Sequence, residues 1–227
     1  MNRIIDISGV GMVREGKQIL KDINLSVNTG DFIAITGPNG GGKTTLLRII
    51  LRLLKPTDGN VRYFTDGTEV KRLSIGYLPQ KNSIDSHFPI TVRQVISSGL
   101  LGVSGIDKNM CETLTESTLQ DVRLLEKADS PIGALSGGQL QRTLLGRALI
   151  APHDVLVFDE PLSYLDRDFE NRMYELIAAR APYTTIILVS HEMTRFAQMA
   201  NRHLIIDRTL TECHSSSHRI YCDCCDK

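Results

Sequence analysis

One unbroken run, Gly37, Pro38, Asn39, Gly40, Gly41, Gly42, Lys43, Thr44 and Thr45, constrains this chain more than any other segment. It fits the spacing glycine, four residues, Gly-Lys-Ser/Thr. A β-type apolar run at 32–36 precedes it, and a helical apolar run at 45–51 follows. Strand, glycine loop and helix in that order are what a phosphate-binding loop requires. Glycines let successive backbone N–H groups converge on phosphate oxygens, and the following helix N-terminus adds partial positive charge there. In such a loop Lys43 reaches the β- and γ-phosphates, and the Thr44 hydroxyl serves as a ligand for Mg²⁺. A glycine-rich turn before an ordinary helix would account for the loop if it stood alone.

It does not stand alone. Val155-Leu-Val-Phe-Asp159-Glu160 is a short apolar run ending in two acids, the pattern of a buried strand in a parallel sheet. Ligands of open α/β sheets bind at the carboxyl ends of strands, where these acids fall. Asp159 is suited to hold Mg²⁺ directly or through water. Glu160, one residue further out, suits a general base that polarises an attacking water. Leu135-Ser136-Gly137-Gly138-Gln139 precedes a helical stretch, with Ser136 as a candidate N-cap and two glycines opening the backbone toward an anion.

Read together and in order, these motifs resemble the ATP-binding-cassette family. Ser136 to Gln139 looks like its signature, and Gln80 resembles its Q-loop glutamine. Ser163-Tyr-Leu-Asp166 resembles its D-loop, and His191 resembles its switch histidine. The resemblance covers about residues 3–207. It implies an α/β fold: a RecA-like P-loop core, an N-terminal antiparallel β subdomain and an inserted α-helical subdomain. It also implies a homodimer packed head to tail. Each ATP then lies between one phosphate loop and the partner's signature, so Ser136, Gly137, Gly138 and Gln139 serve the partner's nucleotide. ATP and Mg²⁺ are the implied ligands: Thr44, Gln80 and Asp159 order Mg²⁺, Glu160 activates water, and His191 senses the γ-phosphate. One departure stands out. Where the family stacks an aromatic on adenine, this chain has Gly11-Met-Val-Arg-Glu15. Val13 is the best match, with Met12 and Arg14 as alternatives, so an apolar contact replaces stacking.

The chain has 26 Lys plus Arg and 26 Asp plus Glu. Such a neutral balance gives no argument for a nucleic-acid partner. No apolar run approaches the roughly 20 residues of a membrane span, and the first residues lack the apolar centre of a secretory signal. The cytosol is therefore the expected compartment, and the family resemblance implies a place on the cytoplasmic face of the membrane, with transport through a separate permease. Strand patterns at 3–13 and 18–27 suggest a small antiparallel sheet. Strand candidates also fall at 60–64 and 74–78, and helical patterns at 43–54, 91–101, 108–127 and 138–150. Strands and helices alternate again from 151 to 207. The expected division is 1–80 with 151–212 as the core, 81–150 as the helical part, and 213–227 as a Cys/His-rich tail.

The cargo is read from resemblance. Gln80-Lys81, Ile84-Asp85 and Phe88-Pro89-Ile90-Thr91-Val92 look like the zinc and manganese uptake cassettes, which implies an extracytoplasmic metal-binding protein in the same system. Phe88 and Pro89 suit either an apolar knob for a partner's groove or a core-facing loop. In the tail, Cys213, His214, His218, Cys222, Cys224 and Cys225 suit Zn²⁺ or Cu(I), or are incidental thiols of a terminus. The reading is the ATPase subunit of a metal-ion importer. Alternatives are a cassette for another cargo, including an exporter, or a soluble cassette without a membrane partner.

Overall fold

The computed structural model describes residues 2–80, 88–162, 165–190 and 195–213. Strands β1 (Arg3–Arg14) and β2 (Lys17–Asn28) lead to β3 (Phe32–Thr36) and helix α1 (Lys43–Ile50). Strands β4 (Asp58–Thr65), β5 (Thr68–Val70) and β6 (Ile75–Leu78) follow. Three helices come next: α2 (Val92–Ser97), α3 (Lys108–Asp121) and α4 (Gly137–Leu149). The chain then runs β7 (Val155–Asp159), α5 (Arg167–Ala178), β8 (Thr185–Val189), α6 (Arg195–Met199), β9 (Arg202–Asp207) and β10 (Thr209–Cys213).

Two sheets result. One is antiparallel with order β2-β1-β4-β5. The other has order β10-β9-β3-β8-β7-β6, parallel except for β10, which returns along β9. The fold is the expected α/β core with an antiparallel β sheet and an α-helical insertion. The five-residue runs at β7 and β8 are buried throughout because both faces of the parallel sheet are covered. Alternation along each strand divides the apolar residues between two cores. Val155 and Val157 pack with Ile33, Ile35, Leu46 and the antiparallel sheet. Leu156 and Phe158 face the other way, toward Leu144, Leu145, Phe169 and Ile177.

Several elements differ from expectation. The first helix stops at Ile50 rather than 54, and Arg52 takes a left-handed φ of 56° just beyond it. The helix expected over 108–127 ends at Asp121. Arg123 turns left-handed at φ 55°, Leu124 N–H bonds back to Leu119 O at 2.8 Å, and a separate 3-10 turn covers Leu125–Lys127. That break is a left-handed C-terminal cap made without glycine, so no local signal announces it. Strand β10 is absent from the sequence expectations, because its exposed edge lacks an apolar alternation. Cys213, which the sequence groups with the tail, closes β10 opposite His203. Residues 214–227 lie outside the described residues.

Candidate functional site

Parallel strands carry the site on their carboxyl ends. The loop after β3 turns through Gly37 at φ 136° and Gly42 at φ 103°, conformations that favour glycine. Both positions also lack room: a Cβ on Gly37 would lie 2.1 Å from Ile206 O, and one on Gly42 would lie 2.5 Å from Leu20 Cδ2. The loop is thus pressed against β9 and β2. Helix α1 has no acid in its first turn, so its N-terminal amides and dipole suit an anion. The buried Lys43 arches over the loop, its Nζ donating to Gly37 O at 2.8 Å and Pro38 O at 2.9 Å. Burial lowers its pKa, while the Glu160 and Asp159 carboxylates oppose that shift.

At the end of β7, Asp159 is fully buried. Thr44 Oγ1 donates to its Oδ1 at 3.5 Å, and its Oδ2 has no hydrogen-bond partner among the described residues. Burial raises the Asp159 pKa most. Glu160 adds to the rise, while Thr44, Arg48 and Lys43 counter it. A buried carboxylate oxygen with no donor, beside a threonine hydroxyl, is the donor set a hard cation such as Mg²⁺ takes. Glu160 follows at a left-handed φ of 50°, its N–H on Val189 O at 2.9 Å. A non-glycine residue held there stores on the order of 1–3 kcal/mol of strain, a cost that clusters at functional sites. Gln80 Nε2 reaches across to Glu160 Oε2 at 2.5 Å.

A cleft of about 290 Å³ joins these groups, lined by Asn39, Gly40, Gly42, Lys43, Thr44, Thr45, Gln80, Glu160 and Ile19. Ile19 is an addition to the residues expected there. The β1–β2 register passes from Met12↔Leu20 to Val13↔Gln18, leaving Ile19 as the extra residue of a bulge beside the cleft. Val13 is 44% exposed, bonded through its N–H to Thr57 Oγ1 at 3.0 Å, and is not in this cleft's lining.

Ser136 caps α4 in a reciprocal box. Its Oγ accepts from Gln139 N at 3.3 Å, and Gln139 Oε1 accepts from Ser136 N at 3.0 Å. Gln139 is thereby committed to its own helix. Ser136 and Gly137 are exposed and Gly138 is half-buried. Asp166 caps α5 by accepting from Phe169 N at 2.8 Å. That backbone bond is the main cause that lowers its pKa. His191 lies outside the described residues, as do Ser163, Tyr164, Lys81, Ile84, Asp85 and the tail from His214 onward. Among the described residues no group of three or more His, Cys, Asp or Glu is arranged to hold a metal, and no helix is long and apolar enough to cross a membrane.

Residues 20–163 match the ABC transporter family. A probable metal transport system ATP-binding protein of Chlamydia trachomatis is 37% identical over 87% of this chain and 85% of its own length. A protein of the same description from Thermotoga maritima is 36% identical over 96% and 87%. A high-affinity zinc uptake system ATP-binding protein of Bacillus subtilis is 34% identical over 84% and 85%. Among solved structures, a dimeric ATP-binding cassette in a post-hydrolysis state with ADP and Pi superposes with TM-score 0.80 at 24% identity, over 92% of this chain and 97% of that one. The ATP-binding subunit of another ABC transporter gives 0.81 at 18% identity, over 92% and 89%.

Proposed function

Because the chain belongs to the ABC transporter family, we propose that it is the ATPase subunit that drives uptake of a divalent metal ion, zinc or manganese, through a separate membrane permease. The relatives named for metal and zinc transport support the cargo. The protein would sit as a homodimer on the cytoplasmic face of that permease, fed by an extracytoplasmic metal-binding protein. The observation that carries the enzymatic reading is the meeting of Lys43, Thr44, Asp159, Gln80 and Glu160 at one end of the parallel sheet.

The chain's own residues divide the work. The loop amides from Gly37 to Thr45 and the Lys43 ammonium bind the phosphates of ATP. Thr44 and Asp159 would hold Mg²⁺, with Gln80 beside them; when bound, that ion neutralises charge on the phosphate oxygens. Glu160 is aimed by its strained backbone and by Gln80, and takes a proton from the attacking water. Ser136, Gly137 and Gly138, at the start of α4, would close over the partner's nucleotide. Most of the catalysis is then positioning and charge stabilisation. His191 would contact the γ-phosphate, and Val13 or Ile19 the base.

The test is uptake by cells lacking this subunit, measured separately with zinc and manganese and rescued by the wild-type gene. Rescue of one or both ions by wild type, but not by Lys43→Ala, is the expected result. Wild-type levels of uptake of both ions without the subunit would overturn the cargo.

A further inference from the structure

We infer that the base of the nucleotide rests on a cationic hairpin end, Arg14 with Lys17, and that this site therefore takes guanine at least as readily as adenine. The inference rests on the phosphate-loop reading of Gly37 to Thr45. Gly42 shows which face of the hairpin meets the nucleotide. A Cβ there would lie 2.5 Å from Leu20 Cδ2 and 2.9 Å from Ile19 O, so the loop packs on the side of β2 that carries Leu20. Met12 pairs with Leu20, and both are buried on that face. Side chains alternate along β1, so Val13 turns to the opposite face and Arg14 returns to the face of Met12. Arg14 pairs with Lys17, two residues beyond Met12 and about 7 Å closer to the turn. Ile19, which lines the cleft, comes between this pair and Leu20 along the hairpin. A nucleotide with its phosphates on the loop thus passes Ile19 and brings its base to Arg14 and Lys17.

Such a rim is not what stability alone would select. Like charges directly opposite each other weaken a sheet. The two cations nevertheless face each other across a two-residue turn, Glu15-Gly16, with φ of 51° and 73°. Both values are left-handed, the primed geometry that holds the last pair in register. The Arg14 side chain is 73% exposed, and Glu15 Oε1 lies 3.9 Å from its Nε, too far for a hydrogen bond. The guanidinium plane is therefore open to the face of a base, on which arginine stacks.

Donor chemistry sets the preference. Arg14 and Lys17 carry N–H donors and no acceptor. With Arg14 on the ring face, the Lys17 ammonium is left for the ring edge. That edge of guanine offers two acceptors, O6 and N7, whereas adenine sets an amino donor beside N7. Donors match guanine fully and leave the adenine amino group to water. A stacking aromatic would hold either purine without this distinction.

The test measures KM and kcat of the purified chain for ATP, GTP and inosine triphosphate, which has O6 and N7 but no 2-amino group. We expect kcat/KM for GTP and inosine triphosphate to equal or exceed that for ATP. Lys17→Met keeps the stem and removes the charge. It should raise KM about three- to tenfold for the two keto purines and less for ATP. Arg14→Ala should raise KM for all three by a similar factor, more than it changes kcat, and Arg14→Tyr should recover the ATP value. Both positions are exposed, so the fold tolerates these changes. A wild-type preference for ATP over GTP above about tenfold overturns the inference. So does an unchanged KM in Arg14→Ala, or an unchanged ratio of GTP to ATP in Lys17→Met. Lys43→Ala separates this from the phosphate-loop reading, since it should abolish turnover of every nucleotide. If it does while the hairpin variants change nothing, the loop stands and the hairpin is overturned. If Lys43→Ala keeps wild-type turnover, the loop reading falls and the hairpin falls with it.

Discussion

Gln80 and Glu160, eighty positions apart, are joined by a 2.5 Å hydrogen bond from the glutamine amide to the glutamate carboxylate. The sheet dictates the meeting. Strands β6 and β7 are parallel neighbours in the register Leu78↔Phe158, and the same register carried two residues on sets Gln80 beside Glu160. One face of two adjacent strand ends thus brings the Gln80 amide to the Glu160 carboxylate.

Glu160→Gln should therefore keep the local geometry and lose the chemistry. Mg-ATP binding should persist, an ATP-bound dimer should accumulate, and hydrolysis should drop by about two to four orders of magnitude, as for loss of a general base. Radiolabelled ATP turnover beside nucleotide binding is the check. Wild-type turnover in this variant would remove Glu160 from the role of base.

Lys43→Ala and Ser136→Arg should complement one another in a mixed dimer. Head-to-tail packing collects both lesions at one composite site and leaves the other whole, whereas each homodimer is damaged twice. The exposed Ser136 and Gly137 suit a surface that only a partner completes. Roughly half the wild-type rate per mixed dimer is expected for independent sites. The measurement is ATPase activity of dimers purified through two different tags. Inactivity equal to that of the homodimers counts against the packing.

Asp159 gives a pH-dependent prediction with a definite sign. Its folded-state pKa is raised, chiefly by burial. A raised acid stabilises the fold only while protonated: the contribution is full below the ordinary carboxylate value and is lost as pH rises through the raised one. At neutral pH the bare carboxylate is therefore a destabilising charge, offset when a cation neutralises it. Without nucleotide, Asp159→Asn should unfold at the same or higher temperature than wild type at neutral pH. That advantage should shrink as pH falls toward the ordinary carboxylate range. The variant should also lose most of the stabilisation that Mg-ATP confers on wild type. Thermal unfolding over a pH series, with and without Mg-ATP, decides it. A clear loss of stability in the nucleotide-free variant at neutral pH contradicts the assignment.

The site is legible in the sequence where the chemistry is local. A glycine loop between an apolar strand and a helix, two acids ending a buried run, and a serine before a helical stretch each announce their own backbone. The structure places the loop, the strand end and the N-cap as read, while the reciprocal bond from Gln139 goes beyond that reading. What is not legible depends on distant register. Ile19 reaches the cleft through a bulge that exists only when β2 pairs with β1. Arg142 reads as an ordinary polar helix residue until α5 packs against α4 and offers Asp166. Strand β10 needs β9 beside it before its polar residues make a strand.

Phe88 is 59% exposed, which favours a partner-facing knob over a core-facing loop aromatic. Phe88→Ala should cost at most about 0.5 kcal/mol of stability, as exposed truncations do. It should leave hydrolysis by the isolated subunit unchanged while reducing its stimulation by the permease and the uptake of metal. Paired assays with and without the permease read this directly. Loss of activity in the isolated, folded subunit would return Phe88 to the core.

Arg202 predicts the stability of the frame that holds the loop. From the start of β9 its guanidinium donates to Asp31 Oδ2 and Ser26 O, both at 2.7 Å, and makes a two-pronged contact with Glu212 at 2.6 and 2.9 Å. It thus ties β9 to β10 and to the β2–β3 turn. The Asp31 side chain is only 7% exposed, so removing the guanidinium leaves a buried carboxylate that still accepts from Asn28 N but has lost its cation. Breaking a buried pair from one side typically costs about 3–5 kcal/mol. Arg202→Ala should lose stability of that order in urea unfolding. Arg202→Lys should fall between the two, since an ammonium keeps the charge but cannot span four acceptors in one plane. Because Gly37 rests against Ile206 on the same strand, the alanine variant should also weaken nucleotide binding. A loss below about 1 kcal/mol would show that water or a neighbouring side chain replaces the guanidinium, and that the loop does not depend on this tie.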